Sequence, residues 1–98
     1  MEIIHGNEKS FEKLIEKGNV LVDFHAEWCG PCKMLSVELE DMKKEVQIVK
    51  INTDDNIELC QRFGVMSVPT MIYFKEKDKY DIHIGYMPKE EILEWIGK

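Results

Sequence analysis

A chain of 98 residues, 44% hydrophobic and 33% charged, has the make-up of one ordinary globular domain with a modest core. Its net charge of -6 and pI of about 5.0 exclude a phosphate-backbone binder, which needs a basic face. No apolar run approaches the ~20 residues of a membrane span, and "MEIIHGNEKS" lacks the basic stretch and apolar run of a signal peptide, so a single cytoplasmic domain over 1–98 is expected, with neither nucleic acid nor membrane as partner.

In chain order, "EIIH" (2–5) reads as an edge strand. Asn7 is placed to cap a helix with Phe11, Leu14 and Ile15 on its inner face, ended by Gly18. "VLVDF" (20–24) is apolar and rich in β-branched residues, with one acid inside it. It reads as a buried central strand. After Cys29, residues Leu35, Leu39, Met42 and Val46 fall at helical spacing and predict a long amphipathic helix. "VQIVKI" (46–51) reads as a further strand. Asn56 is placed to cap a helix carrying Leu59, Cys60 and Phe63, stopped by Gly64. "MIYF" (71–74) and "YDIHI" (80–84) flank the charged run "KEKDK" (75–79) and predict an antiparallel hairpin around a solvated turn. Pro88 suits the first turn of a last helix with Glu90, Glu91, Ile92 and Ile96. The order βαβαβαββα implies an α/β fold with a mixed, mostly parallel sheet and helices on both faces.

The stretch "EWCGPCKM" (27–34) sets Cys29 just past the central strand, with a helix beginning at about Gly30 or Pro31. In open α/β sheets chemistry sits at the carboxyl ends of strands. Zinc needs four ligands, and Cys60, His5, His25 and His83 are scattered without a second motif. A structural staple across two residues closes too small a loop to restrain much chain entropy, and a reducing cytosol disfavours it. A reactive dithiol has a mechanism. The helix start offers free backbone N–H groups and partial positive charge to Cys29, which favours the nucleophilic thiolate. Pro31 is tolerated in that first turn. Cys32, one turn in, is expected to be more buried and slower to ionise. Cys60 is the odd cysteine and reads as a small buried hydrophobe.

"VDFHAEWCGPCKM" resembles the active-site signature of the thioredoxin family, and "VKINTDDN" (49–56), "FGVMSVPT" (63–70) and "IGYMPKEEI" (84–92) resemble later segments of that family in order and spacing. A bare CxxC is a weak signal; CGPC within WCGPCK is specific. The resemblance implies a central mixed five-stranded sheet flanked by four helices. It implies Cys29 as the nucleophile, Cys32 as the resolving thiol, and a redox-active Cys29–Cys32 disulfide with no bound cofactor. Asp23 would assist proton transfer at Cys32, with Lys50 near it. Pro69 would be a cis proline facing the cysteines, and the Val68 backbone would bond an extended substrate. Trp28, Gly30, Pro31, Gly85 and Tyr86 would frame the contact surface. Two positions depart from the family pattern: His25 replaces the usual aromatic residue, and Val37 stands where a helix-kinking proline is common.

The expected function is reduction of protein disulfides by thiol–disulfide exchange. The implied partners of this monomer are disulfide-containing proteins and a thioredoxin reductase, either an NADPH-dependent flavoprotein or a ferredoxin-dependent enzyme. One alternative is a glutaredoxin-like enzyme, against which GPC in place of PYC argues. Another is a non-catalytic binding module built on the same fold.

Overall fold

The near-continuous apolar run "VLVDFH" requires cover on both faces, and the chain supplies it. The computed structural model describes residues 1–98. Five strands, β1 (Ile4–His5), β2 (Val20–His25), β3 (Gln47–Asn52), β4 (Thr70–Glu76) and β5 (Lys79–Ile84), alternate with four helices. The helices are α1 (Phe11–Ile15), α2 (Gly30–Met42), α3 (Ile57–Phe63) and α4 (Lys89–Trp95). A 3₁₀ turn at Thr53–Asp55 joins β3 to α3. The strands form one sheet in the order β1-β3-β2-β4-β5.

β2 lies at the centre. It pairs in parallel with β3, from Val20↔Gln47 to His25↔Asn52. On its other side it pairs antiparallel with β4, from Val20↔Phe74 to Phe24↔Thr70. The sheet is therefore evenly divided: β1–β3 and β2–β3 are parallel, β2–β4 and β4–β5 antiparallel. The expectation of a mostly parallel sheet fails at the connection between β3 and β4. β4 enters from the end where β3 left: Phe24 near the end of β2 faces Thr70 at the start of β4.

Two cores result. On one face Phe11 and Ile15 of α1 and Leu59 of α3 pack on Val22, Phe24, Ile72 and Phe74, and Phe63 joins Phe11 and Phe74 in an aromatic cluster. On the other, Leu35, Leu39 and Met42 of α2 and Ile92 of α4 pack on Leu21, Ile48 and Met71. Each fully buried side chain of this size contributes about 1.5–3 kcal/mol of hydrophobic stabilisation.

The boundaries refine the sequence reading. Helix α2 stops at Met42, and Val46 is buried in the turn before β3 rather than in the helix. Asn7 does not cap α1 directly. Its side chain accepts the amides of Lys9 and Ser10 and so builds the turn that feeds the helix. Asn56 makes no capping bond to α3; its side chain instead ties Glu8 to Asn52 across the fold. Gly64 closes α3 at φ +66°, in the left-handed region where a side chain is strained.

Candidate active site

Cys29 is the residue before α2, in extended backbone at φ -93°, and Gly30 and Pro31 are the first helical positions. The first helical N–H groups lack intrahelical partners. One of them, the Cys32 amide, donates to the Cys29 Sγ at 3.1 Å. No acidic residue occupies the first turn, so the positive end of a 13-residue helix faces the sulfur unopposed. The two sulfurs are at disulfide distance, with Cα atoms 5.2 Å apart. In this paired form both cysteines are buried, at 5% and 3% exposure. The expected contrast in burial is thus absent from the paired form. What distinguishes them is the amide aimed at Cys29.

The loop before β4 supplies the opposite side. Val68 packs on the cysteines, and its carbonyl lies 3.7 Å from the Cys29 Sγ. The Val68–Pro69 peptide is cis, as the resemblance implies. Gly85 (φ +98°) donates its amide to the Pro69 carbonyl at 2.8 Å, which brings the end of β5 beside this loop. Tyr86 follows on the surface, at 37% exposure. Gly30 and Pro31 are exposed. Trp28 is 73% exposed and is held at its indole N–H by the Asp54 carboxylate at 3.3 Å. Between Trp28 and Val68 runs an apolar groove of about 470 Å³, floored by Ile57, Cys60, Val65 and Met66. Cys60 is therefore only half-buried, a free thiol at the groove floor, and burial pushes its ionisation up, aided by Glu8 and Asp54.

Behind Cys32 the surroundings are polar. Asp23 is fully buried under α2, and neither carboxylate oxygen has a hydrogen-bond partner. Burial raises its pKa from 3.8 to about 7, against the pull of Lys50. Lys50 is its register partner on β3, yet its ammonium donates to the Ser36 hydroxyl on α2. His25 ends β2 and borders two spaces. One is a cleft of about 270 Å³ shared with Glu27, Cys32, Lys33 and Ser36. The other is a cavity of about 430 Å³ with no hydrophobic lining, shared with His5, Lys50 and Asn52 among others. Burial lowers the His25 pKa, helped by Lys50 and His5 and opposed by Glu27.

The fold thus sets Val68 against the Cys29–Cys32 pair, with Gly85 tied to Pro69 next to it in the chain and Trp28 immediately before Cys29, while Asp23 and Lys50 pair in register on β2 and β3. Tyr86 stands at the margin. Sequence reasoning missed Ser36, Asp54 and the groove residues Ile57 and Met66. For Ser36 a signal existed: it lies four residues after Cys32, on the same helical stripe. Val37 is 63% exposed, and α2 runs through it as one element. Nowhere does the structure gather three His, Cys, Asp or Glu side chains placed to hold a metal ion.

Comparison with known proteins places this geometry. The family model described as Thioredoxin matches residues 2–98. Thioredoxin of Bacillus subtilis is 39% identical over 102 residues, covering 100% of this chain and 98% of the relative. Thioredoxin of Listeria monocytogenes is 43% identical over 95 residues, covering 93% and 92%. Among solved structures, chloroplastic thioredoxin z superimposes with a TM-score of 0.87 at 30% identity, covering 99% of this chain and 93% of its own. With likeness running the whole length of the chain and a CxxC pair at disulfide distance at the helix start, the protein belongs to the thioredoxin family and is a dithiol–disulfide oxidoreductase of the thioredoxin type.

Proposed function

We propose that Cys29 is the attacking thiolate and Cys32 the resolving thiol of a cycle that reduces protein disulfides. In the first step the Cys29 thiolate bonds to one substrate sulfur, and the other leaves as a thiolate. In the second, Cys32 gives up its proton, bonds to the Cys29 sulfur and releases the remaining substrate thiolate. Two electrons have then passed to the substrate, and the Cys29–Cys32 disulfide is left behind. One observation carries the assignment: the Cys32 amide donates to the Cys29 Sγ at the start of α2, which favours negative charge on Cys29.

Asp23 is the acceptor of the Cys32 proton. A buried carboxyl with a pKa of about 7 exchanges protons near neutral pH, where a general base works best. Lys50 adjusts that value. Trp28, Gly30, Pro31, Val68, Pro69, Gly85 and Tyr86 frame the docking surface, with the Val68 backbone pairing with an extended stretch of the substrate. A separate thioredoxin reductase returns the electrons, and the protein works as a cytoplasmic monomer without a bound cofactor.

The test is a trapping experiment. Cys32→Ser mixed with an oxidised substrate protein should accumulate an intermolecular disulfide through Cys29, released by dithiothreitol. Cys29→Ser should accumulate none. The reverse pattern would assign the attack to Cys32 and overturn the reading.

A further inference from the structure

We infer that Ser36 is a positioning residue: its hydroxyl holds the Lys50 ammonium on α2 and off the Asp23 carboxylate. Asp23 and Lys50 are register partners on adjacent parallel strands, so both side chains leave the sheet on the face covered by α2. Two acceptors compete for the ammonium there, the carboxylate and the Ser36 hydroxyl. The ammonium donates to Ser36. Both carboxylate oxygens of Asp23 are left without a partner, and no ion pair joins the two residues. Ser36 is half-buried and borders the same cleft as Cys32 and His25.

The consequence is electrostatic. An opposite charge within about 4–6 Å lowers a carboxylate's pKa by about 1–3, and a hydrogen bond to the charged form lowers it further. Held by a hydroxyl, Lys50 acts on Asp23 as a charge at a distance only, and burial remains the larger influence on the acid. The other groups facing this site are His25 on β2, His5 on β1, Glu27 after β2, Asp55 after β3, and Cys32 and Lys33 on α2. The ammonium bonds to none of them. In the oxidised protein the two cysteines do not titrate, which isolates Asp23 from the thiols.

The experiment follows the Asp23 carboxyl ¹³C resonance against pH in the oxidised protein. Ser36→Ala should lower the midpoint by on the order of one pH unit, as the freed ammonium pairs with the carboxylate. Ser36→Thr, which keeps the hydroxyl, should titrate like wild type. In a Lys50→Met background, Ser36→Ala should move nothing, because Ser36 acts only through Lys50. A midpoint that stays or rises in Ser36→Ala overturns the inference, as does a shift that persists without Lys50. The effect on rate rests on the proposed role of Asp23 as proton acceptor, and is read separately. In single-turnover release of a mixed disulfide, the acid limb of the pH profile should move down with the titration. If the titration moves and the limb does not, the Ser36 anchor stands and the role of Asp23 falls.

Discussion

The apolar groove from Trp28 to Val68 reaches the dithiol through Val68, the polar cleft between His25 and Ser36 reaches it through Cys32, and the two share no lining residue. The groove offers Ile57, Val65, Met66 and Val68, the last of which packs on Cys29, with Met66 95% exposed. The cleft offers His25, Glu27, Lys33 and Ser36 beside Cys32, and its Ser36 holds the ammonium of the register partner of the buried Asp23. Docking and proton handling make opposite demands. An incoming disulfide is gripped by apolar contact that expels water, while a proton needs polar groups and a route to solvent. Setting each demand on its own side of the dithiol lets both be met within one turn of helix.

The contrast breaks most sharply at Asp23. Asp23→Asn should slow release of the mixed disulfide by about a hundredfold or more, since a positioned base contributes about 10²–10⁴. Its formation through Cys29 should be little changed. The same substitution should stabilise the fold in alkali. The folded pKa of about 7 lies above the unfolded value near 3.8, so the native state binds the proton more tightly. The wild-type fold therefore keeps its full stability below the unfolded value and loses it as pH rises towards 7. Three units of separation amount to roughly 4 kcal/mol above both values. Urea melts should show the gain in Asp23→Asn at pH 8 and a smaller gain at pH 5. A variant that is less stable at pH 8 and equally fast would make Asp23 a structural acid.

The sulfurs themselves give the next effect. In the reduced protein at neutral pH, iodoacetamide should modify Cys29 on the order of tenfold faster than Cys32 or Cys60. A helix N-terminus stabilises a partly buried anion by up to about 2 kcal/mol, while burial opposes ionisation of Cys60. Peptide mapping after brief alkylation reads the ratio. Equal labelling of Cys29 and Cys32 would erase the distinction between the two sides.

On the groove side, Met66→Asp should lower kcat/KM for a protein disulfide on the order of tenfold, the equivalent of about 1.4 kcal/mol of lost contact. Reduction of a small aromatic disulfide, which does not span the groove, should stay within about twofold. Equal loss on both substrates would mean that Met66 acts on the dithiol rather than on docking.

The smallest effect is expected at His25. Its folded pKa is lowered, chiefly by burial, so its contribution to stability is present above the unfolded value near 6.5 and is lost as pH falls below it. His25→Phe should therefore lose less stability than wild type between pH 7 and pH 5 in urea melts. Parallel curves would make His25 a bystander of the cleft.

Much of this architecture is legible in the amino-acid sequence. Elements marked by their own residues stand out: the apolar run of β2, the start of α2 at Gly30 and Pro31, the stop at Gly64, the hairpin around "KEKDK". The dithiol and its loop partner Pro69 are legible because the motif is specific. What escapes depends on residues far apart in sequence. Asn56 has the chemistry of a cap, but a partner 48 residues away, the Glu8 amide, claims its oxygen. The place of Ser36 one turn after Cys32 is legible, but its bond to Lys50 joins a helix to a strand and depends on a partner 14 residues away. The orientation of β4 shows only in its antiparallel pairing with β2 and β5, and no property of "MIYF" declares it.

The Glu8 contacts reach further than a missed cap. Its amide is bound by Asn56, and its carboxylate accepts the Glu58 amide in the first turn of α3 at 3.1 Å. Glu12 on α1 pairs with Arg62 in the last turn of α3. The N-terminal segment is thus a splint along the helix that floors the groove with Ile57 and Cys60. In the language of local unfolding, these ties couple residues 8–12 to α3, and the two are expected to open and close together. Trimming or displacing the N-terminus would therefore loosen the substrate-facing floor without touching the dithiol, so the precision of docking is set in part at the far end of the chain.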